Sequence, residues 1–194
     1  MSSLVHKFHK QVVQLQWFEK SSPEKCIFAA TIQAMDISTF DAISPVDGRY
    51  RKSTETLTRY FSEASLIRYR IKVEAAYFVA LCHIPLPQLK KVNVSALESM
   101  KQLAGDQSNV DIKAIKDIEG VTNHDVKAVE YFIKQTYEVQ LGHAAEFVHF
   151  GLTSQDINNT AIPLSLKDAM NEVLIPAIDE LRNKIAALSE EWRN

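Results

Sequence analysis

The stretch Met170–Asn194 reads M-N-E-V-L-I-P-A-I-D-E-L-R-N-K-I-A-A-L-S-E-E-W-R-N. Met170, Leu174, Ala177, Leu181, Ile185, Leu188 and Trp192 follow at spacings of 4, 3, 4, 4, 3 and 4. An α-helix turns once in about 3.6 residues, so this spacing gathers the apolar side chains on one face. A half-buried strand would alternate with a period of about 2. The pattern is the seam of a helix bundle, and it predicts an all-α chain. It reaches back to Thr153. Pro163 and Pro176 lie within it and should kink the helix rather than end it. The seam is still running at Asn194 with no capping residue, which reads as a fragment of a longer bundle.

Composition supports the helical reading. Of 194 residues, 46% are hydrophobic and 24% charged, as in a globular protein. Five glycines and abundant Ala, Leu, Glu and Lys favour helix over sheet. A net charge of −2 argues against nucleic acid or an anionic membrane as the main partner. No apolar run approaches the roughly 18 residues that span a bilayer. The two cysteines, Cys26 and Cys82, form no C-x-x-C, and the six histidines form no H-E-x-x-H. Neither a disulfide framework nor a zinc site is expected, and a reducing, cytoplasmic setting is.

Just upstream of the seam, His149–Asn159 reads H-F-G-L-T-S-Q-D-I-N-N. Thr153-x-x-Asp156 before a helical pattern is a capping box. Its hydroxyls, with the unpaired amides of a first helical turn, make a corner that favours anions. Thr153 and Ser154 are therefore candidates to bind a carboxylate. Equally, Ser, Thr and Asp are the default at helix starts, so the motif alone also reads as a plain cap.

A second signal lies in Gly120–Glu138. Thr122-x-x-Asp125 again has capping-box spacing, and the following helix should bury Val126, Val129, Phe132, Ile133 and Tyr137. His124 falls in its first turn, where an imidazole could bind substrate or transfer a proton, or simply face water. Between the two signals, Gly142–His149 reads as a short helix, with His149 expected to satisfy a neighbouring backbone group.

The rest is helical filling. Ser53–His83 carries 3–4 spaced apolar residues, with Ser62 able to cap a break and Arg68, Arg70 and Lys72 read as a solvated face. Ile84–Pro87 stops it. Val94–Ala104 and Val110–Ile118 are shorter helices, each followed by glycine. Asp36–Tyr50 is an irregular arm built on Ser-Pro and Asp-Gly turns. It ends in Arg49 and Tyr50, the arginine placed to offer its fork to a phosphate or carboxylate, or to water. Residues 1–34 carry four lysines, two glutamates and no arginine. They read as a disordered extension upstream of a native start at Met35, with a targeting role as the alternative. The expected division is thus 1–34 as extension, 35–150 as N-terminal helical domain and 151–194 as the start of a central bundle domain.

Three stretches taken together resemble the adenylosuccinate lyases of the fumarase/aspartase superfamily. They are S-P-V-D-G-R-Y at 44–50, T-N-H-D-V-K-A-V-E-Y-F at 122–132 and E-F-V-H-F-G-L-T-S-Q-D-I-N-N at 146–159. Each is modest alone; three in order and in register are specific. The first two speak against sibling lyases acting on argininosuccinate, fumarate or aspartate. The resemblance implies a homotetramer built on long central helices, with no metal or organic cofactor. It implies β-elimination of fumarate from adenylosuccinate, and from the succinyl-carboxamide intermediate of purine synthesis. Arg49 and Tyr50 would hold the phosphate end of the nucleotide. Asn123, His124 and Asp125 would orient the substrate beside the scissile C–N bond, with His124 sharing in acid catalysis. Thr153 and Ser154 would take a carboxylate of the succinyl group.

The family's principal acid is a histidine in T-H-G-Q, and its base a serine on a loop followed by M-P-x-K-x-N. Neither motif occurs in the 194 residues. Family sites are also assembled from several subunits, so the chain alone is expected to be inactive, incompletely helical and prone to aggregate. The competing reading is a non-catalytic oligomerisation domain of the same fold.

Overall fold

A computed structural model describes residues 44–84 and 86–193. The chain divides into two compact units, Met1–Tyr50 and Arg51–Asn194. The readings of residues 1–34, of Met35 and of the first part of the arm fall outside the described residues. In the first unit, Ser44–Tyr50 forms successive turns. The Asp47 and Gly48 amides donate to the Ser44 carbonyl (3.1 and 3.0 Å), and the Tyr50 amide donates to the Pro45 carbonyl (2.9 Å).

The second unit is all-α, with no strand among the described residues. Two short helices, α1 (Arg51–Thr54) and α2 (Thr58–Phe61), lead into α3 (Glu63–Cys82). Ser62 caps α3 as expected, its hydroxyl accepting from the Ser65 amide at 3.2 Å. α4 (Val94–Gly105) starts at Asn93, and α5 (Ile112–Thr122) at Asp111; each cap accepts from the amide three residues on. α6 (Asp125–Thr136) and α7 (Glu138–Leu141) follow, then a 3-10 segment, Gly142–Phe147. α8 (Ser154–Ala169) passes through a π-helical turn, Met170–Leu174, into α9 (Ile175–Glu191).

α3 is the hub. It packs on α4, on α6 and on α8, while α5 packs on α6. Ile67, Ile71, Ala75, Phe78 and Leu81 line one face of α3 and are buried against Met100, Ile115, Val129 and Ile133. Burial of each large apolar side chain contributes on the order of 1.5–3 kcal/mol. That contribution, rather than propensity alone, keeps helices of 11 or 12 residues folded.

Several local readings change. Gly120 lies inside α5 rather than after it. The helix ends instead at Asn123, which takes the left-handed conformation (φ +50°) that asparagine tolerates and donates its amide to the Glu119 carbonyl (2.8 Å). Thr122 is therefore in α5 and makes no capping box with Asp125; the cap of α6 is His124 itself. Gly142–His149 forms a 3-10 segment and a turn, not an α-helix. Pro163 is accommodated within α8. Pro176 sits in the first turn of α9, directly after the π turn in which the Ile175 amide bonds five residues back to Met170. Proline cannot donate and crowds the preceding turn, so a local change of helical pitch absorbs it.

The α9 seam is present but faces outward. Leu174, Leu181, Ile185 and Trp192 are 49%, 59%, 59% and 75% exposed. No described helix is long and apolar enough to cross a membrane.

Candidate functional site

Two helix starts meet beside α3. The first is that of α6. His124 has extended backbone (φ −149°), and its Nδ1 accepts from the Lys127 amide at 3.1 Å, doing the work usual for Ser or Asp. With Nδ1 occupied as an acceptor, the neutral ring carries its proton on Nε2. Nε2 lies 3.4 Å from Ser154 Oγ. The histidine that caps one helix thus aims its second nitrogen at the first residue of another.

The second start is that of α8, where the predicted capping box is complete. The Thr153 amide and hydroxyl both donate to Asp156 Oδ2 at 2.7 Å, and the Asp156 amide returns to Thr153 Oγ1 at 3.4 Å. These two Thr153 bonds hold the Asp156 carboxyl below its usual range. The Thr153 hydroxyl is consumed by the cap. The outward donors at this corner are the Ser154 hydroxyl and the first-turn amides, which have no intrahelical acceptor.

The turn that delivers the chain to Thr153 is tightly determined. His149 and Gly151 both have left-handed backbone, at φ +65° and +73°. Glycine adopts this freely, whereas a histidine there costs about 1–2 kcal/mol. The opposing contact is specific: His149 Nδ1 lies 2.5 Å from Oε1 of Glu74, which is wholly buried. Burial pushes the Glu74 carboxyl up, against the opposing pull of His149. A nearby carbonyl, that of Phe150, accepts from the Tyr77 hydroxyl at 2.9 Å. His149 therefore pairs with a carboxyl of α3, not with the backbone group expected.

Asp125 opens α6. One oxygen accepts from the Val126 amide (2.8 Å), and the other meets Arg70 Nη2 at 2.6 Å. Burial would raise its carboxyl, but the amide and the guanidinium outweigh burial and hold it low. Arg70 Nε donates to Asn158 Oδ1 of α8 at 2.9 Å. Arg70 is 7% exposed, so its assignment to a solvated face was wrong. Glu74 and Asn158 join this corner as residues with no expected role. The signal was legible: Arg70 and Glu74 stand three residues after Ile67 and Ile71, in phase with the core stripe. A charge in phase with core positions is a buried charge that needs partners.

An open cavity of about 490 Å³ lies beside this corner, lined by Lys116, Glu119, Gly120, Asn123, His124 and Asp125. Of the predicted site residues, Asn123, His124, Asp125, Thr153 and Ser154 belong to the second unit, and its packing joins His124 to Ser154. Arg49 and Tyr50 belong to the first unit. There the Arg49 guanidinium lies over the Tyr50 ring, 5.2 Å from its centroid. Among the described residues, no group of three His, Cys, Asp or Glu side chains converges as metal ligands would.

A family model described as lyase matches residues 48–194, which include both helix starts and α3. The chain belongs to this lyase family. Its relatives include the adenylosuccinate lyase of Dictyostelium discoideum, 40% identical over 173 residues, which cover 85% of this chain and 37% of that protein. The adenylosuccinate lyases of Vibrio cholerae and Escherichia coli K12 are each 39% identical over 163 residues, covering 82% of this chain and 36% of theirs. The lyase-family chain thus spans a little over a third of the length of these curated relatives. In it, the lyase-like motifs 122–132 and 146–159 contribute the two facing helix starts.

Proposed function

We propose that the chain supplies part of the active site of an adenylosuccinate lyase, a C–N lyase of purine biosynthesis. The observation that carries this reading is the 3.4 Å approach of His124 Nε2 to Ser154 Oγ at two helix starts. In the elimination, a base removes a proton from the carbon next to a succinyl carboxylate, the C–N bond breaks, an acid gives the departing nitrogen a proton, and fumarate and the amine separate. Negative charge builds on that carboxylate as the proton leaves. Donors aimed there stabilise the transition state more than the ground state. The Nε2 proton of His124, the Ser154 hydroxyl and the α8 amides are such donors, with Thr153 holding the helix start in place.

His124 then acts first as a neutral donor that orients substrate. A role in proton delivery requires its Nδ1 to give up the Lys127 amide. Asn123 and Asp125 flank it, and Arg49 with Tyr50 holds the phosphate end. No cofactor or metal is invoked. The base and principal acid come from stretches with the T-H-G-Q and M-P-x-K-x-N motifs, which these residues lack. The chain alone is accordingly inactive on adenylosuccinate. In the completed protein, the outward α9 seam builds a cytoplasmic homotetramer, with 35–150 as the N-terminal domain and 151–194 opening the bundle.

Fumarate, as product and dicarboxylate, tests the site directly. Titrated into the isotope-labelled chain, it should shift the amides of Ser154 and Gln155 and the His124 ring, and Ser154→Ala should weaken that response. An identical titration by Ser154→Ala would remove the assignment. Turnover of adenylosuccinate by the chain at an ordinary enzymatic rate would overturn the need for the missing motifs.

A further inference from the structure

The His124–Ser154 contact joins two helices, yet neither residue bonds the other firmly enough to define their separation. At 3.4 Å it is a long contact between a half-exposed ring and a partly buried serine. Something else must set it. α3 runs beneath both helix starts and places one side chain between them. Arg70 reaches Asp125, the residue after His124, through Nη2 at 2.6 Å. Through Nε it reaches Asn158, four residues after Ser154, at 2.9 Å. The Arg70 side chain is only 8% exposed, so few waters compete for these bonds.

We propose that Arg70 is a positioning residue, a two-armed clamp that fixes the start of α6 against the first turn of α8 and so sets the His124–Ser154 geometry. This rests on the reading of His124 and Ser154 as a substrate corner. The chemistry explains why the residue is arginine. The planar guanidinium presents Nε and Nη2 in fixed directions, so one side chain can serve two partners on two helices. A lysine is a single point charge and would retain at most one arm well. Asp125 is ionised and Asn158 neutral, so the clamp leaves one full positive charge balanced by one full negative charge. The bond from Asp125 to the Val126 amide ties that carboxylate to the α6 backbone, so movement of Asp125 carries His124 with it.

The test is NMR of the whole chain, which needs neither turnover nor ligand. The readouts are the tautomer of the His124 ring, from long-range nitrogen–proton correlation, and the cross-peak between the His124 ring and the Ser154 β-protons. The wild type should show the proton on Nε2 and the cross-peak present. Arg70→Lys should weaken the cross-peak, and Arg70→Met should abolish it, while the tautomer, which the Lys127 amide fixes within α6, and the Ile115 and Met100 resonances stay in place. Should both Arg70 variants unfold, Asn158→Ala removes one arm without stranding a charge and should weaken the cross-peak by itself. An unchanged cross-peak in any folded Arg70 variant, or in Asn158→Ala, would overturn the clamp. That result is separate from the fate of the carboxylate site, which stands or falls on fumarate binding by Ser154→Ala.

Discussion

Replacing Asp125 by alanine removes the charged partner of the buried Arg70 and leaves the guanidinium with Asn158 alone. Breaking a fully buried ion pair by deleting one partner costs about 3–5 kcal/mol, because the remaining charge is stranded. Here the burial is one-sided: the Arg70 side chain is 8% exposed and that of Asp125 47%. Water can enter the vacated carboxylate position and solvate part of the charge, so the cost falls to about 1.5–3 kcal/mol. Asn158→Ala removes a neutral acceptor and should cost about 0.5–1.5 kcal/mol. Arg70→Met in the Asp125→Ala background eliminates the stranded charge, so the double variant should be more stable than additivity predicts, by about 1–3 kcal/mol. Urea unfolding followed by far-ultraviolet circular dichroism measures each value, at low protein concentration to limit association through α9. An unchanged denaturant slope licenses the comparison. If Asp125→Ala lies within about 0.5 kcal/mol of wild type, or costs less than Asn158→Ala, Arg70 is not clamped by charge and the reasoning fails.

Other perturbations probe separate parts of the structure. The Asp125 carboxyl is held low in the folded state, so its contribution is complete above the unfolded value of about 3.9 and disappears as pH falls through the folded value. Asp125→Asn should therefore flatten the acid limb of stability, read from urea midpoints measured below about pH 4; an equally steep limb would argue against it. Thr153→Ala should lose about 0.5–2 kcal/mol with its cap, whereas Ser154→Ala should leave stability within about 0.5 kcal/mol and act on fumarate binding. The reverse order would exchange their roles. Phe78 is fully buried in the C-terminal part of α3, and Phe78→Ala should cost about 3–5 kcal/mol in the same urea assay; a loss below about 1 kcal/mol would mean that the α3–α4 contact is not the core. Leu181→Glu with Ile185→Glu places charge on the exposed seam and should shift size-exclusion profiles toward monomer. Persistence of large species would place self-association elsewhere.

Much of this was readable along the chain because it depends on near neighbours. Helical periodicity is a property of residues three and four apart, and it located α3 to α6 and the long run of α8 and α9 to within a few residues, but not α7. The Thr153–Asp156 box is equally local and formed as read. The same rule misled at Thr122, where identical spacing produced no box. There α5 runs on through Gly120, and Asn123 supplies the left-handed residue that ends it, so the cap moves to His124. Competition between two abutting helix ends decides such a boundary, and neither end can be read separately.

Arg70 and Glu74 show the limit most clearly. On a helix wheel they lie along one flank of the apolar stripe and in phase with it, which signals burial but names no partner. Their burial follows from α6, α8 and the turn before α8 closing over that flank, contacts that span 55 residues for Arg70–Asp125 and 75 for Glu74–His149. Burying a charge is unfavourable until its partner arrives, and the partner is recruited by packing, not by sequence proximity. By itself the sequence determined that the chain is helical, where most helices begin, and which motifs resemble those of the lyase family. Only the tertiary structure decided that two of those helix starts face one another, because their separation is set by a third helix whose buried charges bond with both segments.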